Sequence, residues 1–163
     1  VLTEQGKPLP VNTECAADLS VAASIPDRYV PSPEQRMDLY RRIARIRSEE
    51  EADDLMDELL DRYGEPPRTV NNLISVALLR AAAAECGITE IAQKNGSLLF
   101  TLPKFDLRQV SALCGQEKYR NRLLFSAGEK PYLALRIRNP KEDVLRLCQT
   151  LVEDFAKVAA EEE

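Results

Sequence analysis

One stretch limits the possible folds more than any other, residues 68–86. Val70, Leu73, Ile74, Val76, Ala77, Leu78, Leu79 and Ala81 to Ala84 fall nearly all the way round a helix that Glu65-Pro66-Pro67 opens and Gly87 ends. A helix apolar on every side has to be enclosed by other elements, so it is expected at the centre of a core. The chain has 163 residues, 44% of them hydrophobic, enough to build one such core, and a single domain is expected over residues 15–160.

The elements around this helix follow from caps and periodicity. From Cys15 to Ile25 the odd positions Cys15, Ala17, Leu19, Val21, Ala23 and Ile25 are apolar, while Asp18, Ser20 and Ser24 fall between them, which predicts a half-buried strand. Pro26, Pro31 and Pro33 then enforce an extended connector. Ser32-Pro33-Glu34-Gln35 supplies an N-cap, a proline at the first helical position and a capping-box glutamine for a helix to about Arg47. Ser48 and Glu51 repeat the signature for a second helix, which Gly64 terminates.

After Gly87, strands over 88–94 and 97–102 flank Asn95-Gly96, a strong hairpin signal. Asp106 with Gln109 predicts a short helix to about Leu113. Strands over 118–125 and 132–138 enclose the Ala127-Gly128 turn, and Asn139-Pro140-Lys141-Glu142 caps a final helix. The expected class is therefore α+β: an N-terminal strand and three-helix segment, then two hairpins with an intervening short helix and a C-terminal helix. Residues 1–14, without an initiator Met or signal-peptide pattern, read as a linker remnant, and 161–163 as an acidic tail.

Chemistry that needs particular residues is largely ruled out. With no histidine there is no Ser-His-Asp or Cys-His arrangement and no imidazole zinc site. Gly6, Gly64, Gly87, Gly96, Gly115 and Gly128 are scattered, and neither G-x-x-x-x-G-K-[ST] nor G-x-G-x-x-G occurs. Cys15, Cys86, Cys114 and Cys148 form no C-x-x-C pair and stand at apolar periodic positions, which predicts reduced, mostly buried thiols. Apolar runs stay far short of a bilayer span. No catalytic residue, metal or cofactor is expected in this chain, and the site of action is expected to be a surface.

Two charged surfaces remain. Arg41, Arg42 and Arg45, flanked by Arg36 and Arg47, offer a phosphate-binding helix face; the alternative is a solvated face with an Asp38–Arg42 pair at i,i+4 and arginines near a helix C-terminus. The net charge of −5 favours the latter. The second surface runs from Glu49 to Asp61, with eight acids and no base. Helical spacing gathers Ala52, Leu55, Met56, Leu59, Leu60 and Tyr63 on one face and Asp54, Asp57, Glu58 and Asp61 on the opposite one. The early acids suit a helix N-terminus, whereas Glu58 and Asp61 fall in the last two turns, where the macrodipole disfavours negative charge. Either a basic partner surface or an ordinary solvated face accounts for them.

Three separated segments in order then carry a resemblance: Ile25-Pro26-Asp27-Arg28-Tyr29-Val30-Pro31, Arg36-Met37-Asp38-Leu39-Tyr40-Arg41-Arg42-Ile43 and Glu58-Leu59-Leu60-Asp61-Arg62-Tyr63-Gly64. Together they resemble the C-terminal domain of the bacterial transcription-repair coupling factors, known as Mfd, from about Leu19 to Ile88. The resemblance implies a cytoplasmic parent that is an ATP-dependent DNA translocase of helicase superfamily 2. Such a parent displaces stalled RNA polymerase and recruits excision repair through UvrA, with ATP and Mg held in motor domains elsewhere.

The resemblance further implies that this domain is an autoinhibitory clamp on an N-terminal module resembling UvrB, covering its UvrA-binding surface. On that footing Glu58 and Asp61, with Asp54 and Arg62 peripheral, are the expected partner-binding residues. A monomer without membrane or direct nucleic-acid contact is expected. The rival class is a nucleic-acid-binding module using the arginine helix, or a basic sheet face built from Lys118, Arg120, Arg122, Arg136 and Arg138, which share parity within each predicted strand. A purely structural or homo-oligomeric domain is a third reading.

Overall fold

The computed structural model describes residues 15–139 and 141–162. The linker expected over 1–14 lies outside the described residues, as do Glu163 and the side chains of the two acids before it. The described residues divide into two compact units where one domain was expected: one runs from Ser20 to Ala81, and the other joins residues 15–19 to the described residues from Ala82 onward.

The first unit is helical. Helices α1 (Pro33–Ala44), α2 (Glu49–Tyr63) and α3 (Arg68–Glu85, shared with the second unit from Ala82) follow one another in the predicted order. Local chemistry sets their limits. Ser32 Oγ accepts from Gln35 N and Ser48 Oγ from Glu51 N, while Glu51 Oε1 accepts from Arg47 N at 2.6 Å. At the far end Gly64, with φ +87°, adopts a backbone that an L side chain resists and donates its N–H to Leu60 O. Helix α1 stops at Ala44, short of the expected Arg47, because Arg45 N and Ile46 N tighten onto the carbonyls of Arg42 and Ile43.

Apolar side chains of all three helices meet in one core of Leu39, Ile43, Ile46, Ala52, Leu55, Leu59, Val70, Ile74 and Ala77, joined by Ile25 and Val30 of the connector. Helix α3 is buried at Val70, Ile74, Ala77, Leu79, Ala81 and Ala83, and of the rest only Arg68, Asn71, Ala82 and Glu85 are exposed. Polar anchors hold the connector to the helices. Ile25 N donates to Tyr40 Oη, Tyr29 Oη donates to Gly64 O at 2.8 Å, and Arg36 Nη1 reaches Val30 O and Pro31 O.

In the second unit five strands form one sheet in the order β1-β2-β3-β5-β4. These are β1 (Ala16–Asp18), β2 (Glu90–Lys94), β3 (Ser97–Thr101), β4 (Leu123–Ser126) and β5 (Tyr132–Arg136). Strand β1 pairs with β2 in parallel, a geometry that needs a long crossover; the whole helical unit lies in that connection. The expected strand over 15–25 is therefore cut to three ladder residues. Beyond Asp18 the chain stays extended with its alternating burial, but Asn72 Nδ2 donates to Ala22 O and Ser24 N to Thr69 O, so it is tied to α3 instead of a strand.

The Asn95-Gly96 hairpin forms as expected, with φ +50° and +78° as a two-residue turn of primed type requires. Ile91, Leu98, Phe100, Leu133, Leu135 and Leu123 share the buried face of the sheet by register. Helix α4 (Leu107–Cys114) packs on α5 (Val144–Glu162) and on β4.

Two terminal details differ from expectation. Residues 117–119 form a 3-10 turn, so β4 begins only at Leu123: Tyr119 turns inward and donates to Asp154 Oδ2 at 2.5 Å, while Lys118 Nζ meets the same oxygen at 2.9 Å. Helix α5 is capped by Asp143, whose Oδ1 accepts from Arg146 N, while Glu142 turns back to accept from Arg138 N and Asn139 N.

Two adjacent leucines of α2 separate packing from display, since Leu59 is 0% exposed and Leu60 49%. Leu59→Ala is expected to cost about 2–5 kcal/mol, and Leu60→Ala to stay within about 0.5 kcal/mol of wild type, as read from urea unfolding curves.

Candidate functional site

The alternation of α2 places Asp54, Asp57, Glu58 and Asp61 along one stripe facing away from the core, spaced i, i+3 and i+4. Asp54, Asp57 and Asp61 are exposed, and Glu58 is partly covered. Leu60, predicted to face inward, instead borders the stripe in solvent, because Leu59, Ala52 and Leu55 already fill the core side.

Glu58 is not a bare surface acid. Arg42 of α1 grips it with both terminal nitrogens, Nη1 to Oε2 at 2.8 Å and Nη2 to Oε1 at 2.7 Å, and Arg62 Nη1 approaches Oε2 at 3.4 Å. This two-pronged geometry is the strong form of a guanidinium–carboxylate contact. Hydrogen bonding by Arg42, against a smaller opposing effect of burial, holds the Glu58 carboxyl down at about 2, and the same bond raises Arg42. The macrodipole mismatch at Glu58 is thus compensated from a neighbouring helix. Among the described residues Asp54 and Asp61 form no ion pair.

The expected Asp38–Arg42 pair does not form; the guanidinium turns across to α2, and Asp38 acts on it only through its field. Nothing local in the sequence signals this contact, which spans 16 positions and exists only once α1 and α2 share a core. Beside it lies a groove of about 300 Å³ floored by Ile46 and Leu55 and walled by Arg42, Arg45, Glu51, Asp54 and Glu58.

Of the other arginines in the cluster, Arg36 is spent on backbone carbonyls, and Arg47 Nη1 reaches Ala44 O and Ile46 O. The proposed basic sheet face does not assemble. Lys118 and Arg120 lie outside any strand, Lys118 pairs with Asp154, and Arg122 is held by both oxygens of Glu142 at 2.6 and 2.7 Å. Arg138 reaches back to Arg120 O, leaving Arg136 on β5 as the one member inside a strand. None of the four cysteines is joined in a disulfide, Cys15 and Cys148 are buried, and burial pushes Cys148 up to about 12 and Cys86 to about 11, which disfavours the thiolate form. No cluster of metal-ligating side chains occurs among the described residues, and none of their helices is long and apolar enough to cross a membrane.

A small α+β sheet interrupted by a three-helix unit is the architecture of a solved structure, the crystal structure of the C-terminal domain of transcription-repair coupling factor. The two agree at a TM-score of 0.73 and 21% identity, covering 93% of this chain and 99% of that one, which establishes the fold. Residues 19–112, more than half of the chain, match the TRCF domain family, and the chain belongs to that family. Similar proteins include the transcription-repair-coupling factors of Myxococcus xanthus, 41% identical over 98 residues and 60% of this chain, and of Escherichia coli K12, 32% identical over 85 residues and 51% of this chain. That of Bacillus subtilis 168 is 30% identical over 89 residues, 55% of this chain. The matched stretches span only 7–8% of those proteins' length.

The depressed Glu58 carboxyl has a definite pH signature. Its folded value near 2 lies below the ordinary 4.5, so its stabilising contribution is complete above about pH 4.5 and is lost as pH falls toward 2. A carbon-detected NMR titration is expected to place the Glu58 midpoint near 2 in wild type and to move it upward in Arg42→Gln; an unmoved midpoint contradicts the assigned cause.

Proposed function

We propose that this TRCF domain is a non-catalytic regulatory domain that docks through the α2 stripe onto a UvrB-like N-terminal module of the same parent protein. The parent, by its resemblance to the coupling factors, is an ATP-dependent DNA translocase that displaces stalled RNA polymerase and recruits UvrA. Docking covers the UvrA-binding surface and restrains the resting motor.

The observation that carries this reading is a row of exposed carboxylates at Asp54, Asp57 and Asp61 on α2, bordered by the solvent-exposed Leu60 and lying in a stretch that matches the family. Acids in the last turns of a helix cost stability locally and are favoured by an opposing basic surface. Each exposed charge pair contributes only about 0.2–1 kcal/mol, so several must act together with an apolar contact such as Leu60. Weak individual contacts suit a clamp that has to open, because a modest differential affinity then shifts the closed and open populations. The nucleic-acid reading is less favoured, since Arg42, Lys118 and Arg122 are committed to carboxylates within the domain, although Arg41 and Arg45 stay exposed.

Reversal of Glu58 and Asp61 in the full-length parent is expected to raise resting ATPase activity and UvrA binding together. Glu58 also closes the Arg42 pair, so Asp61→Lys alone, at an exposed position, gives the cleaner variant. Unchanged ATPase activity and UvrA binding in Asp61→Lys contradict the proposal.

A further inference from the structure

The docking stripe is interrupted by the domain's own cations. Asp54, Glu58 and Asp61 stand one helical turn apart, yet both Glu58 oxygens already accept from Arg42, and Arg62 adds a second positive charge on Oε2. Asp54, Asp57 and Asp61 present negative charge to solvent, whereas the centre of the row, Glu58 with Arg42 and Arg62, carries a net positive one. A basic partner side chain approaching Glu58 meets repulsion from Arg42 before it meets attraction.

From this we infer that Arg42 is an internal competitor for the docking site: it occupies the central carboxylate that a partner arginine or lysine needs, and it lowers the affinity of the closed state. The inference rests on the docking role of α2 proposed above. Its physical basis is that the two-pronged pair is open to solvent, so Arg42 can exchange its hold on Glu58 for water and for neighbouring carboxylates. The pair is open to water, with 38% of the Arg42 side chain and 35% of Glu58 exposed, so it does not lock the core.

The groove beside the pair is lined by two further carboxylates, Asp54 and Glu51, the latter with one oxygen already on Arg47 N, and by the apolar Ile46 and Leu55, against which an arginine stem can lie. Asp38, one turn back on α1, also attracts it. A carboxylate accepts several hydrogen bonds, so the partner's cation takes over Glu58 while Arg42 moves along the groove to its neighbours. Arg62, four residues from Glu58 on the same helix, stays in place and helps hold the carboxylate's orientation.

The sign of one substitution separates this from a merely structural pair. The test titrates the 163-residue chain with the UvrB-like module of the same parent by calorimetry, at low and at physiological salt, with thermal melts of each variant alongside. Arg42→Gln is expected to bind about two- to fivefold tighter than wild type, the scale of one solvent-accessible ion pair, and Asp61→Asn to bind more weakly. Adding Glu58→Gln to Arg42→Gln removes the gain.

Arg42→Lys keeps the charge but loses the two-pronged grip, and is expected to fall between wild type and Arg42→Gln; it remains decisive if the glutamine variant folds poorly. Arg42→Gln or Arg42→Lys binding as weakly as Asp61→Asn, or unchanged, overturns the competitor role while leaving the docking surface intact. Absence of binding by wild type and every Arg42 variant overturns both.

Discussion

The apolar seam between α1 and α2 is what the rest of the helical unit depends on. Leu39 and Ile43 from one helix meet Ala52, Leu55 and Leu59 from the next, and the following helix adds Val70, Ile74 and Ala77 to the same core. Burial on this scale supplies most of a small unit's stability and fixes the register of one helix on the other. That register brings Arg42 within reach of Glu58. The polar contact is a consequence of the packing, and it converts a geometric fact into an electrostatic one: the most covered acid of the stripe is neutralised from within, while its neighbours are left to solvent.

The segments that carry the family resemblance divide between scaffold and surface. Tyr29, Arg36 and Tyr40 are anchors: Tyr29 ties the proline-rich connector to Gly64 O, and Arg36 and Tyr40 of α1 hold it at Val30 O and Ile25 N. Tyr63 joins them, its ring 5.7 Å from that of Tyr29 and its hydroxyl on Gln35. Their presence in ordered motifs is explained by packing alone. Asp61 and Leu60 in the third segment are exposed and have no such structural task, and the proposed docking role draws on them for that reason.

Much of the fold was legible because its signals are local. Ser32, Ser48 and Gly64 act within three or four residues, and Asn95-Gly96 sets its own turn, so the limits of α1, α2 and the first hairpin could be read to within a few positions. The failures share a different cause. Alternating Lys118, Arg120 and Arg122 imitate a strand, yet Tyr119 is drawn inward by Asp154, 35 residues away, and Asn121 takes a positive φ, which together turn the segment before β4 can begin. The Arg42–Glu58 pair and the outward Leu60 were hidden in the same way, since each depends on which side of α2 the core happens to fill. Site chemistry that crosses between elements is written in the tertiary packing, and sequence periodicity alone supplies only the candidates.

The proposed docking surface on α2 is tested most directly by mapping amide and side-chain NMR shifts of the labelled chain as the UvrB-like module is added. Perturbations are expected to concentrate on Asp54, Asp57, Leu60, Asp61 and Arg62, with the Arg42 guanidinium signals moving as its hold on Glu58 is contested. Perturbations confined to the outer sheet face, at Leu99, Ala134 and Leu124, with α2 silent, would contradict it.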